Sequence, residues 1–292
     1  MTSVMVDGSS LLSVPCPLRR RTVCSTCGYI DVASIVRRTR PSGSSVNDEE
    51  VILDGGNRNR VVRIGDTVRR TTGRHSHAVH ELLSHLEVAG FSYSPRFLGV
   101  DEEGREILSH VDGTVGNHPM PEPIRSIAAM ESAVAVVRQL HDVTVGLRLP
   151  AGHAKHLPLG AVPEVICHWD AAPYNFVFEG VEPVGLIDFD EAGPGRRVDD
   201  LAYFAYRFAP LCADENLTDG GWPRSIDRLG RLRRIFELYP TPHAHLVPDL
   251  IVDRLTTLTL DPRTPAAHVP MYELDRAFVR EHRQRIAAQI RG

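Results

Sequence analysis

The sequence predicts an α+β protein built as a small antiparallel β-sheet lobe with one helix, followed by a larger helical lobe. Three features carry that expectation. Between Glu50 and Val111, short apolar runs alternate with turn residues and are interrupted by a single stretch of helical period. After Gly113 the apolar residues recur mostly at helical spacing. Within that second part, residues 164–188 revert to short strands around a glycine-containing turn.

In the small lobe, EEVILDGGN, RVVRIGD and TVRRT read as three successive antiparallel strands. Asp54-Gly55-Gly56-Asn57 and Gly65-Asp66 between them are hairpin-type turns. Ser76 is placed to cap a helix on which Val79, Leu82, Leu83 and Leu86 fall at i, i+3, i+4 and i+7, and Gly90 closes it. Two more strands, 96–101 and 105–111, flank the turn Glu102-Glu103-Gly104. In the second lobe Ile127, Met130, Val134, Val137 and His141 mark one face of a helix running to about Asp142. A Pro/Gly/His loop over 149–163 leads to a strand at 164–167 and a hairpin at 175–188. From Asp200 onward the pattern is helical, with proline-rich joints at 240–242 and 262–270. Residues 1–45 show no sustained period and read as a weakly ordered extension, so the expected divisions are 1–45, 46–112 and 113–292.

Composition excludes several classes. A net charge of −4 over 292 residues gives no electrostatic footprint for nucleic acid. No apolar run approaches the roughly 18 to 20 residues of a membrane span. Five cysteines, Cys16, Cys24, Cys27, Cys167 and Cys212, are an odd and scattered set, which argues against a disulfide framework and for the cytoplasm. Cys24-Ser-Thr-Cys27 with Cys16 is either half of a zinc site or a set of incidental thiols; zinc requires four ligands and no second pair lies nearby. The short apolar stretch at 11–14 precedes the basic cluster Arg19-Arg20-Arg21, the reverse of a secretory leader. Lys155 is the only lysine, so chemistry that commonly uses lysine must fall to arginine.

The stretch richest in chemistry is VICHWDAAPYNFVFEGVEPVGLIDFDEAGPGRRVDDLAYF, residues 165–204. It holds His168-x-Asp170, Asn175 five positions later, then Ile187-Asp188-Phe189-Asp190. The hairpin between Asn175 and Asp188 returns both to one end, so Asp170, Asn175 and Asp188 can converge. Carboxylate and amide oxygens suit a magnesium ion carrying nucleotide phosphates, and a separate carboxylate can orient an attacking hydroxyl.

With these motifs the chain resembles the aminoglycoside phosphotransferase family of small-molecule kinases, relatives of protein kinases, over about residues 48–290. The combination carries the resemblance: H-x-D-x-x-x-x-N, then I-D-F-D and D-D-L-A at kinase spacing, behind a sheet lobe with one helix. It implies a protein-kinase-like two-lobed fold, with 46–112 as nucleotide-binding lobe and 113–292 as catalytic and substrate-binding lobe. It further implies Asp170 as catalytic aspartate, Asn175 and Asp188 as magnesium ligands, and His168 as a buttress of the catalytic loop. Asp200 would brace that loop, or cap the following helix with Asp199, or do both. Asp190 is left between aiding metal or substrate and doing neither.

The turn containing Gly55 and Gly56 sits where such kinases fold a loop over nucleotide phosphates. The third strand of these kinases carries a lysine; here Val68-x-Arg70 has the spacing, which makes Arg70 the phosphate contact and points Arg69 the other way. The family's helix glutamate has no clear counterpart. Glu81 lies nearly opposite the apolar stripe, whereas His80 flanks it and is either a partner for Arg70 or a packed residue; His75, His77 and His85 are expected at the surface. Backbone groups of Ser109 and Val111 would meet the adenine edge.

The function implied is an ATP-dependent phosphotransferase that uses Mg-ATP and a small-molecule hydroxyl acceptor, with an aminoglycoside-type antibiotic among the candidates. A nucleotide-binding pseudokinase with a regulatory role is the alternative. Only 12 positions separate Asp188 from Asp200 and no A-P-E-like element follows, which leaves little room for the peptide-docking segment of a protein kinase. Acidic residues Asp214, Glu215 and Asp219 would attract a polycationic sugar, but Arg224, Arg228, Arg231, Arg233 and Arg234 cancel them.

Overall fold

Alternating burial along short strands and one buried helical stripe organise the first part of the chain. The structure is a computed structural model, and it describes residues 50–53, 61–73, 75–149, 156–157, 160–218 and 220–290. The expectations for residues 1–45, including Cys16, Cys24 and Cys27, and for Gly55, Gly56, Lys155 and Asp219 lie outside the described residues. Strands β1 (Val51–Leu53), β2 (Val61–Ile64), β3 (Thr67–Thr71), β4 (Phe97–Val100) and β5 (Arg105–Ser109) form one sheet in the order β1-β2-β3-β5-β4. All its pairings are antiparallel, and the β3–β5 register sets Arg70 opposite Glu106.

Helix α1 (Ser76–Val88) joins β3 to β4 and buries Val79, Leu82, Leu83 and Leu86, as the spacing requires. Ser76 is not its cap. His75 holds that position, and the Ser76 hydroxyl instead accepts from the Gly73 N–H at 2.7 Å. At the far end Gly90 turns the chain at φ +77°, a left-handed conformation that glycine adopts without steric cost.

Strand β6 (Thr114–Val115) and helices α2 (Glu122–Arg125) and α3 (Ile127–Val143) open the larger part. Next come β7 (Val165–Cys167), the hairpin β8 (Phe176–Glu179) and β9 (Glu182–Leu186), and β10 (Gly193–Gly195). The helices α4 (Arg197–Phe208), α5 (Asp214–Leu217), α6 (Arg228–Leu238), α7 (Val247–Leu260), α8 (Val269–Glu281) and α9 (Arg283–Gln289) complete the chain. Two strands had no sequence signal: β6, which pairs with β8, is two residues long, and β10, which pairs with β7, is Gly-Pro-Gly. Tertiary pairing, not local propensity, makes them strands. Among the described residues no helix is long and apolar enough to cross a membrane.

The core of the helical part is aromatic. Phe204 and Phe208, one turn apart on α4, stack with ring centroids 4.2 Å apart, and Phe176 of the hairpin meets both edge-on. The two parts are tied by polar contacts as well. His85, expected at the surface, donates from Nε2 to the Val143 carbonyl at the end of α3 (2.8 Å), and the Leu186 N–H donates to the Tyr93 carbonyl (2.7 Å). Buried Arg231 reaches the carbonyls of Phe208 (2.7 Å) and Arg125 (3.0 Å), at the ends of α4 and α2. Burial pushes its guanidinium down to about 10.

Phe176 is fully buried and directly follows Asn175. Phe176→Ala is expected to cost about 3–5 kcal/mol of stability, measured as a lower urea midpoint at unchanged slope.

Candidate active site

The turn after β7 is held from one carboxylate. Asp200, fully buried near the start of α4, accepts the backbone N–H of His168 and of Trp169, each at 2.8 Å, and His141 Nε2 at 3.0 Å. Burial raises the Asp200 carboxyl, but the hydrogen bond and charge of His141, the charge of His168 and its N–H outweigh that, and the group lies below its ordinary value. Capping of α4 belongs to Asp199, whose Oδ2 accepts the Arg196 N–H at 2.8 Å. The two neighbouring aspartates thus divide the roles that the sequence left joined.

Trp169 sits at φ +64°, a region bulky residues avoid. Its N–H is fixed by Asp200, its indole Nε1 donates to the Gly193 carbonyl (3.1 Å), and Gly195 leaves room for its ring. A Cβ at Gly195 would stand 2.7 Å from Trp169 Cζ2. The strained turn presents the next residue, Asp170. His168 Nε2 donates to the Ile187 carbonyl (3.0 Å) and its ring packs edge-on against Phe189.

Asp170, Asn175 and Asp188 are brought together by the hairpin. Asn175 Nδ2 donates to both the Oδ2 and the carbonyl of Asp170, each at 2.9 Å, and the Ile187 N–H donates to the Asn175 carbonyl at 2.8 Å. Asp188 therefore follows directly beside Asn175, at φ +64°, with its side chain 49% exposed. Tyr174 donates to Asp170 Oδ1 (2.7 Å), and its oxygen lies 3.0 Å from that of Tyr203. With its Nδ2 committed to Asp170, Asn175 turns its amide oxygen the other way. That oxygen and the Asp188 carboxylate are the hard donors magnesium prefers, so these residues fit the ion.

Arg70 reaches across from β3 to the same place. Its Nη2 bonds Asp190 Oδ1 (2.6 Å), its Nη1 lies 3.5 Å from Asp188 Oδ1, and its Nε bonds Glu106. Burial pulls this guanidinium down, but Asp190, Glu106 and Asp188 together hold it above its ordinary value. Asp190 is raised, by burial first and then by the Asp188 charge, with Arg70 opposing both. Arg69 points to the other face, toward Asp101 and Thr67.

Glu106 was missed by sequence reasoning. It is 1% exposed, and its second oxygen takes His80 Nε2 at 2.7 Å, while the His80 ring stacks on Phe97 at 3.8 Å. His80 thus meets Arg70 only through Glu106. Glu81 is exposed and pairs with His77 at 3.3 Å. The available signal was the register: in an antiparallel β3–β5 pair, Glu106 falls directly opposite Arg70.

Ser109 and Val111 lie where β5 leaves the sheet. The Ser109 N–H is spent on the Arg96 carbonyl (3.0 Å), and Val111 packs on Gly185 of β9. On the opposite side of Asp170, Arg207 lies over the Tyr174 ring (5.2 Å) and Arg254 over the Tyr203 ring (5.4 Å). Arg207 also donates to His118 Nε2 at 2.8 Å.

This arrangement has relatives. Residues 147–233, which include the whole motif block, match the phosphotransferase enzyme family, APH. Over that block the chain is similar to the APH phosphotransferases. It is also similar to the trifolitoxin immunity protein of Rhizobium leguminosarum bv. trifolii, 37% identical over 174 residues, which are 58% of this chain. The chain spans 65% of the length of that relative. Among solved structures, a gentamicin complex of an aminoglycoside phosphotransferase superposes with TM-score 0.52 at 14% identity, over 83% of this chain and 91% of that one. A microcompartment-associated aminopropanol kinase gives TM-score 0.51 at 12% identity, over 82% and 94%. At these identities the likeness is one of fold, and it covers both the sheet lobe and the helical lobe.

Two outcomes follow from the geometry. Glu106→Ala leaves Arg70 and His80 without their shared acceptor and is expected to cost about 3 kcal/mol in a denaturant melt, whereas Glu81→Ala changes stability by less than about 0.5 kcal/mol. The second concerns pH. Burial, and then the Arg207 charge, push the His118 imidazole down to about 3, so between pH 6.5 and 3 the unfolded chain binds a proton there that the folded chain does not. Stability contributed by this group is complete above about pH 6.5 and is lost toward pH 3, at about 1.4 kcal/mol per pH unit. His118→Gln should flatten the loss of stability measured between pH 7 and pH 5.

Proposed function

We propose that this protein transfers the γ-phosphoryl group of Mg-ATP to a hydroxyl of a small molecule. The observation that carries the reading is the placement of Asp170: a partly exposed carboxylate on a strained turn, fixed by Tyr174 and Asn175, with Asn175 bonded through its carbonyl to the segment that bears Asp188. The sheet lobe up to residue 112 would hold the nucleotide, and residues 113–292 the catalytic loop and the acceptor. Arg70 would grip phosphate oxygens with a fork that stays charged, exchanging part of its contact with Asp188 and Asp190 for them. The Ser109 carbonyl and Val111 backbone would face the adenine edge, since the Ser109 N–H is already used.

Asn175 and Asp188 would hold the magnesium ion, which when bound supplies positive charge to the phosphate oxygens. Asp170 orients the acceptor hydroxyl and takes its proton. The acceptor oxygen forms a bond to the γ-phosphorus as the bond to the β,γ-bridging oxygen breaks, and ADP leaves. His168 and Asp200 act on Asp170 only through the backbone of the turn. A cytoplasmic setting accords with this supply of ATP and with the free, buried thiols of Cys167 and Cys212. The name of the immunity protein suggests protection from a toxic molecule as a biological setting.

One observation favours a second reading. Arg70 stands where kinases carry lysine and is already tied to Asp188 and Asp190, which suits a protein that binds nucleotide without turning it over. Asp170→Asn separates the two. As a phosphotransferase the variant keeps Mg-ATP binding and loses about 10²- to 10⁴-fold in ADP release with an acceptor, because an amide cannot take the proton. Asp188→Ala loses magnesium-dependent nucleotide binding as well. A wild-type protein that binds Mg-ATP but yields no phosphorylated product from any acceptor supports the pseudokinase instead.

A further inference from the structure

Two arginines lie over the tyrosines that lead to Asp170. Arg254 of α7 donates from Nη2 to the carbonyl of Trp169 (3.1 Å), the peptide group that leads directly into Asp170. Its guanidinium lies over Tyr203, whose hydroxyl meets that of Tyr174, which donates to Asp170. Its Nη1 meets the His156 ring at 3.1 Å. Among the described residues no carboxylate comes within 4.0 Å of Arg254, and its buried Nε has no hydrogen-bond partner. Of the five N–H donors of a guanidinium, the Trp169 carbonyl and His156 use two.

The acids Glu191 and Asp190 bond directly to other groups, Glu191 to the His156 ring that Arg254 also meets. Glu191 bonds His156 at 2.7 Å and lies 3.4 Å from Arg263, which also pairs with Asp261 at 2.6 Å; Asp190 bonds Arg70. Arg207 adds a second guanidinium over Tyr174. A polycationic acceptor would bring like charge against both arginines. An acceptor with a negative group near its reacting hydroxyl would instead gain a charge-assisted, forked contact.

We infer that the acceptor carries an anionic group beside the hydroxyl that is phosphorylated, and that Arg254 receives it. The inference rests on the phosphotransferase reading and narrows its substrate class. Arg254 is a specificity-determining residue in it; the proton still passes from the acceptor hydroxyl to Asp170.

The test uses the full chain. Glycerate, glycerol 3-phosphate, glycerol, ethanolamine and gentamicin are each titrated by calorimetry into protein saturated with Mg-ADP, and each is assayed for ADP release from Mg-ATP. The expected result is that glycerate or glycerol 3-phosphate binds about tenfold or more tightly than glycerol, and the arm that wins tells carboxylate from phosphate. Arg254→Gln should weaken that binding about tenfold and raise KM more than it lowers kcat, while Arg254→Lys, which keeps the charge, recovers part of the affinity. Tighter binding of ethanolamine or gentamicin than of the anions overturns the inference, as does an absence of anion binding. Equal affinity in the wild type and in a folded Arg254→Gln protein overturns it too. A uniform fall in kcat for every acceptor would reduce Arg254 to a support of the Trp169 carbonyl. Failure of Mg-ADP itself to bind would defeat the phosphotransferase reading, and the inference with it.

Discussion

The carboxylate of Asp200 is wholly enclosed, yet it receives two backbone N–H groups and an imidazole, and the turn that presents Asp170 is anchored by those bonds. Burying an ion is costly unless each lone pair finds a donor. Here the donors are the amides of His168 and Trp169, so the enclosed charge and the strained backbone stabilise each other. Trp169 can keep φ +64° because Asp200 fixes its amide, Gly193 accepts its indole N–H and Gly195 leaves space for its ring. The hydrogen-bonded Asp200 stays ionised, which favours the fold above the ordinary carboxylate range and ceases to do so as pH falls through its lowered value.

A second centre organises the other lobe. Arg70 connects Glu106 on β5 to Asp188 and Asp190 beyond the hairpin, so one guanidinium joins the sheet lobe to the helical lobe. A lysine offers a compact point charge, whereas the planar fork of arginine directs separate N–H groups to three carboxylates. The usual glutamate on the helix is then unnecessary. Glu106 arrives from the adjacent strand and is oriented from behind by His80, itself packed on Phe97.

Much of this was legible in the sequence, and what escaped it did so for physical reasons. The strand and helix order followed from period and turn chemistry, and the convergence of Asp170, Asn175 and Asp188 followed from the hairpin that separates them. Strand alternation placed Arg70 and Arg69 on opposite faces. Glu106 stayed hidden because a lone acid in REILS looks like a solvent-facing strand residue, and only the pairing with β3 shows what it opposes. Strands β6 and β10 exist through partners distant in sequence. Arg254 lies 84 positions after Asp170 on a helix whose pattern speaks only of burial, so its approach to the Trp169 carbonyl is a product of helix packing alone.

The charges around Asp170 are unequal on its two sides. On the side of Asn175, Glu106, Asp188 and Asp190 face the single charge of Arg70, and when all three acids are ionised the cluster holds an excess of about two negative charges, which the proposed magnesium ion would offset. The strain of that excess is visible in Asp190, raised by burial and by Asp188 despite its bond to Arg70. On the side of Tyr174 and Tyr203, Arg207 and Arg254 lie over the two rings. That asymmetry accords with the proposed Mg-nucleotide on one side and the inferred anionic acceptor on the other. It also keeps the Asp170 carboxylate in contact only with neutral donors, Tyr174 and Asn175, which orient it without neutralising it.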